Sequence, residues 1–497
     1  MTGICGVVSP DNCLPYLYLA TDYSFHLGSK HGGLCLLNPK GEWKRANHSI
    51  QDAQFQTKFS RYLMDDSWIG KMGIGVISDL DVQPLVLNTR FGTIAIAFNG
   101  WINNLNQLVE KYIAKGHSPI VMSLDPDNAN RERIYSVSLL ATLINEAKTL
   151  ESGIQHVWEI IEGSASMLIL TPDGIIAARD LHGRTPLVIA YNSTTKSRII
   201  VSEDFFLFRL GYKVEKSLEP GEIVCISASG VQVLCSGNCE LCQFCTFSLI
   251  YTSFPASTRV ASTRIMCGES LAQKSGLTAA DMVCGIPDSG IFSGQGFAKF
   301  LQIPYIQAII KYAATRGRSF IPGNQAQRDD IAKHKLHPSQ ELLMGLVLLV
   351  LTDDSIVRAT QLGDLIWEIL ELLGVKRVHL GISCPPLLFP CNYLYSTRRR
   401  GELATRKVIG DQVKDLAPYL DPDSRLFQDM IRGIKESMLR GKTAGDRWNL
   451  PDKQILDVMD RFTLQYQRPE DMIKVVTTVS GLAQKDLCFD CWFPRTL

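Results

Sequence analysis

The stretch "LVLLVLTDDSIVRATQ" (346–361) constrains the fold more than any other part of the chain. Its six consecutive aliphatic residues, 346–351, show no polar alternation and are too short for a membrane span, which suits a strand buried on both faces of a parallel sheet. Such a strand needs helices above and below it, so the surrounding domain is expected to be layered α/β. The run then stops at Asp353-Asp354. In an open parallel sheet the ligand crevice lies beyond the carboxyl ends of the strands, and two acids placed there can face a cation or the hydroxyls of a sugar. Ser355, Arg358 and Thr360 follow where the next helix begins. Backbone N–H groups, hydroxyls and a guanidinium in that position can cradle a phosphate. Taken alone, the stretch also fits an ordinary helix cap with a surface acid pair.

The rest of the chain divides on texture. Up to about residue 235, short runs such as "GTIAIAFNGWI", "SASMLILTPDGIIAARD" and "SRIIVSEDF" are broken by Gly, Asn and Asp turn signals, a β-rich pattern. From about 270, "AADMVCGIPDSG", "IPYIQAII", "LVLLVLTDD" and "RVHLGISCPP" read as buried parallel strands that alternate with helical stretches such as "GDLIWEILELLG". The expected domains are therefore 1–235 and 269–409, joined by a junction at 236–268. Residues 410–497 follow as a helical insertion and C-terminal segment. A length of 497 residues accommodates two to three domains of roughly 100–200 each.

Lys plus Arg number 51 and Asp plus Glu 50, a balance that gives no electrostatic case for nucleic acid or an anionic membrane as the main partner. The opening "MTGICGVVSP" lacks the basic region and long apolar stretch of a secretory signal, which points to the cytoplasm. Fourteen cysteines are many for a reducing compartment, where clustered thiols more often serve metals or catalysis than disulfides.

"TDDSIVRATQ" closely resembles the phosphoribosyl pyrophosphate (PRPP) loop of the phosphoribosyltransferases, and in particular the "DDSIVRGTT" of the glutamine PRPP amidotransferase family. "IPDSG" (286–290) is similar to that family's pyrophosphate-side loop and "RGRSFIP" (316–322) to its flexible lid. "RDLHGRTPL", "VSED" and "LEPGE" follow the family's order and spacing. The resemblance implies a class II glutamine amidotransferase (Ntn-type, α+β) domain followed by an α/β type I phosphoribosyltransferase domain. It implies Mg²⁺ at Ser289, Asp353 and Asp354, a hard-oxygen set. PRPP would be bound by Asp353, Asp354, Ser355, Arg358, Ala359, Thr360 and Arg318, with Arg316 a further basic residue of the lid. Two letters depart from the family: Ala359 replaces a Gly and Gln361 a Thr. If position 359 needs a positive φ, alanine there is strained by about 1 kcal/mol or somewhat more.

Cys488-x-x-Cys491 alone could be a redox pair, half a zinc site or chance. In the iron–sulfur branch of the resembled family, four cysteines hold a [4Fe–4S] cluster, and Cys245, Cys391, Cys488 and Cys491 stand at the matching positions. Buried cysteines serving only as small hydrophobes are the other reading. "CELCQFC" adds Cys239 and Cys242, which could form a zinc-like site with Cys235 or replace a cluster ligand.

In the amino-terminal half, "CGVV" resembles the start of class II amidotransferases, with Cys5 as the N-terminal nucleophile after removal of a leader, 1–4. "FNGWINN" puts Asn99 and Gly100 where the family builds its oxyanion hole. The glutamine-gripping residues depart. Leu27 stands for the family's first Arg, Ser78 for the Arg that pairs with the substrate carboxylate, and Tyr135-Ser136-Val137 for its "DSE". Loss of a bidentate Arg removes a contact worth roughly 1.5–3 kcal/mol.

These readings add up to an amidophosphoribosyltransferase-like enzyme, a homo-oligomer by family analogy. It would make 5-phosphoribosylamine from PRPP and glutamine-derived ammonia. A PRPP-binding paralogue with a lost glutaminase, using free ammonia or another amine or serving only in regulation, is the alternative.

Overall fold

The computed structural model describes residues 1–51, 53–116, 122–125, 128–312, 336–359, 362–394, 396–397, 399–440 and 452–493. They form two compact units. The first comprises Met1–Cys245, Asn392–Ser396 and Lys485–Cys488, and the second Thr246–Cys391, Thr397–Gln484 and Phe489–Leu497.

Two antiparallel sheets build the first unit. One has seven strands, with Thr2–Val8 at its middle between Ser197–Val201 and Met72–Ser78. The other has six, including Gly92–Ile102 beside Gly163–Leu170. Successive strand residues face opposite sides, and here both sides are apolar. Ile4, Val76 and Ile200 meet Ala97, Leu168 and Ala177 between the sheets. Cys5 and Val7, on the reverse face, pack with Leu14 and Leu17 of the helix Leu14–Tyr23. Phe98 and Met167 pack with the helices Ser136–Glu146 and Leu150–Ile160. Helix, sheet, sheet and helix thus stack in four layers, an α+β unit of the class that the amidotransferase resemblance implies.

The second unit is α/β. Its parallel sheet runs Met282–Gly285, Leu348–Asp353, Arg377–Ile382, Phe462–Tyr466. The apolar run at 346–351 supplies the second strand, flanked on both edges. Val350 packs with Val283, Leu271 of the helix Val260–Lys274 and Phe297 of the helix Ile291–Leu301. Two segments differ from the sequence reading. "IPYIQAII" is a parallel strand only in part: Tyr305 makes a parallel bridge to Val283, with Val283 N–H donating to Pro304 O and Ile306 N–H to Val283 O, each at 2.9 Å. Ile309–Lys311 instead pairs antiparallel with Leu336–Pro338, and Ile310 is more than half exposed. Conversely Phe462–Tyr466, inside the stretch read as helical, closes the sheet edge, with the helices Arg425–Arg440 and Asp452–Arg461 preceding it. Among the described residues no helix is long and apolar enough to cross a membrane.

Candidate active site

The strand Leu348–Asp353 delivers both acids to its carboxyl end. Asp353 is 9% exposed and Asp354 4%. "IPDSG" comes to the same place because Ile286 N–H donates to Thr352 O at 2.8 Å and Thr352 Oγ1 donates to Gly290 O at 2.9 Å. A Cβ on Gly290 would stand 2.1 Å from Thr352 O, so this close approach requires glycine. The zipped loops place Ser289 Oγ 3.1 Å from Asp353 Oδ1, which also accepts from Asp354 N–H at 2.9 Å. Ser355 Oγ donates to Asp354 Oδ2 at 2.5 Å. Burial first, and then the neighbouring Asp354, push the Asp353 carboxyl well above the usual carboxylate range. Two buried like charges beside a hydroxyl are relieved by a divalent cation, and the donor set is all hard oxygen, so these side chains fit Mg²⁺.

Beyond the acids the loop turns at Ala359, whose φ is +66°. This is the left-handed conformation on which the expected strain depends, in a residue that carries a Cβ. Arg358, 9% exposed on its side chain, forms an ion pair with Glu402. Glu402 was not legible in the sequence, since 44 residues separate the partners and no motif marks the acid. Thr360, Arg316 and Arg318 lie outside the described residues.

In the first unit Cys5 sits mid-strand, opposite Gly75 on one side and Val201 on the other. Its thiol, 1% exposed, lies 3.2 Å from Thr21 Oγ1 and 3.6 Å from Gly75 O, and burial pushes its pKa up to about 12. Residues 2–4 extend the same strand, paired with Ser78, Ile77 and Val76. While they remain attached, the nitrogen of Cys5 is a peptide nitrogen and cannot serve as a base. These residues also touch two of the eroded positions. Thr2 Oγ1 is 3.4 Å from Ser78 Oγ, and a Cβ on Gly3 would stand 3.0 Å from Leu27 Cδ1. Asn99 and Gly100 lie on the other sheet, opposite Ser166 and Ala165, and Asn99 Nδ2 is 3.5 Å from Thr185 Oγ1. Gly100 has φ +153°, and a Cβ there would meet Ser164 O at 1.9 Å. Val137 N–H donates to the buried Asp81 at 3.0 Å, an acid the sequence reading did not single out.

The four cluster-position cysteines fall into pairs. In the first unit Cys245 stands opposite Cys488 on two short parallel strands, Phe244–Cys245 and Leu487–Cys488. In the second, the carbonyl of Cys491 accepts from Leu388 and Phe389 N–H at 3.0 and 3.1 Å, two residues before Cys391. Among the described residues no three Cys, His, Asp or Glu side chains converge as a metal site. Four thiols are of the chemical type that ligates iron.

A family model described as a glutamine amidotransferase domain matches residues 71–208. The amidophosphoribosyltransferase of Synechocystis sp. is 33% identical over 434 residues, 86% of this chain and 85% of that protein. Its namesake from Methanocaldococcus jannaschii is 30% identical over 437 residues, 83% and 90% of the two chains. In fold, the chain resembles the solved glutamine PRPP amidotransferase of B. subtilis complexed with ADP and GMP. The TM-score is 0.74 at 24% identity, covering 99% of this chain and 96% of that one. The acid pair at its strand end, the four-layered amino-terminal unit and these relatives agree: the chain belongs to the amidophosphoribosyltransferase family.

Proposed function

We propose that the protein makes 5-phosphoribosylamine from PRPP and the amide nitrogen of glutamine, the first committed transfer of purine synthesis. The observation that carries this reading is the buried Asp353–Asp354 pair at a parallel strand's carboxyl end, with Ser289 hydrogen-bonded to it. The two carboxylates would grip the ribose hydroxyls, and the loop 355–359 would hold the 5-phosphate through its N–H groups and Ser355. Mg²⁺ held by Ser289, Asp353 and Asp354 would supply charge for the leaving pyrophosphate. Arg358, Thr360 and the lid residues Arg316 and Arg318 would add to phosphate binding. Ammonia would then bond to C1 as the C1–pyrophosphate bond breaks. Cys5, freed of residues 1–4, would release the ammonia, with Asn99 and the Gly100 N–H stabilising the oxyanion.

A second reading, transfer from free ammonia alone, is favoured by Leu27, Ser78 and the depth of Cys5. Pyrophosphate release from PRPP, assayed with glutamine and separately with ammonium chloride, tests both. Release with both donors supports the first reading and with ammonium alone the second. Release with neither removes both.

On the same family reading, Cys245, Cys391, Cys488 and Cys491 would hold a [4Fe–4S] cluster, tying distant segments together and contributing to stability. Anaerobically purified protein should be brown and carry iron and sulfide in equal amounts, both lost in Cys488→Ser. A colourless, iron-free preparation would remove the cluster. Homo-oligomerisation and a cytoplasmic setting belong to this reading too.

A further inference from the structure

"CELCQFC" contains two thiols, Cys239 and Cys242, that the transfer reaction does not use. They occupy one tight turn: Cys239–Leu241 forms a single 3₁₀ turn, and Cys242 N–H donates back to Cys239 O at 3.1 Å. A turn closed in this way holds its end Cα atoms within about 7 Å, inside most of the roughly 4.4–6.8 Å range that a disulfide spans. In a 3₁₀ turn, side chains three residues apart eclipse one another, so both cysteines leave the turn on nearly the same side.

Surrounding loops pin the turn on both flanks. Asn238 N–H donates to Pro220 O at 2.8 Å, and Asn238 Oδ1 accepts from Glu240 N–H at 2.9 Å. Gln243 N–H donates to His182 O at 2.8 Å. The pair is accessible, with Cys239 exposed and Cys242 partly so.

The charges around the two thiols differ. Arg179 is buried, with its guanidinium held by Thr185 O at 2.9 Å, Gly183 O at 2.6 Å and Leu218 O. It acts on Cys242 more strongly than on Cys239, whereas Glu219 lies beside Cys239. A cation favours the thiolate and an acid opposes it. Glu219 stands beside Cys239, yet among the described residues no group of three or more Cys, His, Asp or Glu is placed to hold a metal ion, which separates this arrangement from a zinc centre.

We propose that Cys239 and Cys242 are a redox-active dithiol that closes to an intramolecular disulfide by exchange with a low-molecular-weight disulfide such as oxidised glutathione. The Cys242 thiolate attacks one sulfur of the small disulfide, forming a mixed disulfide and expelling one thiolate. Cys239 then attacks the Cys242 sulfur, the second small thiolate leaves, and two protons are released. The cysteines lose two electrons and the small disulfide gains them. This inference stands apart from the PRPP reading.

The test is mass mapping of the whole protein after anaerobic equilibration with graded ratios of oxidised to reduced glutathione and alkylation of the remaining thiols. We expect the peptide spanning 239–242 to pass from doubly alkylated to unalkylated and two hydrogens lighter as the ratio rises. Cys239→Ser should stop at a glutathione adduct on Cys242. Cys242→Ser should leave Cys239 reacting at least tenfold more slowly than Cys242 does. Two alkylated thiols at every ratio would overturn the proposal. So would one zinc per chain that resists a chelator and shields both thiols.

Discussion

Ala359 is where a single Cβ has a calculable effect. At φ +66° it costs about 1 kcal/mol relative to a residue free to adopt that conformation, and part of the relief glycine offers is returned as unfolded-state entropy. Ala359→Gly should therefore raise the stability of the ligand-free fold by up to about 1 kcal/mol, read in denaturant titrations. A destabilised variant would mean that the alanine serves the loop. Asp353 poses the opposite case. Burial and Asp354 already disfavour its charge, so Asp353→Asn should cost the ligand-free protein little stability. If Asp353 holds Mg²⁺ and the ribose as proposed, catalysis should fall at least a hundredfold, since the side chain would no longer bring a negative charge to them. A thermal melt and the pyrophosphate assay on the same sample separate the two effects. The acids were legible because an unbroken apolar run that stops at two charges marks the end of a buried strand. Glu402 was not, because a partner 44 residues from Arg358 leaves no local pattern.

Elements were legible in proportion to their burial. The strand Leu348–Asp353 is flanked on both edges and reads as a continuous apolar run. Phe462–Tyr466 sits at the sheet edge, has only its end residues buried, and its five letters carry no run to detect. That edge strand matters to its neighbour Arg377–Ile382. His379 is 6% exposed, with Nδ1 2.9 Å from Thr463 Oγ1 and Nε2 3.0 Å from Gln465 Oε1, and burial lowers its pKa to about 4. Its folded pKa lies below the unfolded value of 6.5. The resulting stability is therefore present above the unfolded value and is lost as pH falls toward the folded one. Between neutrality and about pH 5 the loss should reach about 2 kcal/mol. His379→Gln, which keeps an amide between the same partners, should flatten that pH dependence in denaturant titrations at the two pH values. An unchanged slope would assign the acid sensitivity elsewhere. Gly290 tests the loop contact by size: Gly290→Ala forces a Cβ toward Thr352 O and should cost about 1–3 kcal/mol together with PRPP binding.

At the scale of the molecule, the order of the two chemistries could be read from sequence because each half keeps its own motifs. The state of the amino-terminal half could not, since it depends on how a thiol sits in a ladder. Cys5 was recognisable from "CGVV". Its depth, its bond to Thr21 and the pairing of residues 2–4 with Ser78, Ile77 and Val76 arise from strand register, which four letters do not encode. If glutamine is hydrolysed by Cys5 and PRPP is consumed at Asp353 and Asp354, the two half-reactions share only ammonia. Cys5→Ala should then abolish glutamine-dependent pyrophosphate release and leave ammonium-dependent release within about twofold of the parent, because the nucleophile has no part in the second step. The converse variant, Asp354→Asn, should lose release with either donor yet still hydrolyse glutamine to glutamate. Should Cys5→Ala retain glutamine-dependent release, the thiol is a packing residue and the nitrogen is drawn by another group. Should the parent respond to ammonium alone, residues 2–4 pressed against Leu27 and Ser78 give the physical reason, and their removal should be what restores the glutamine response.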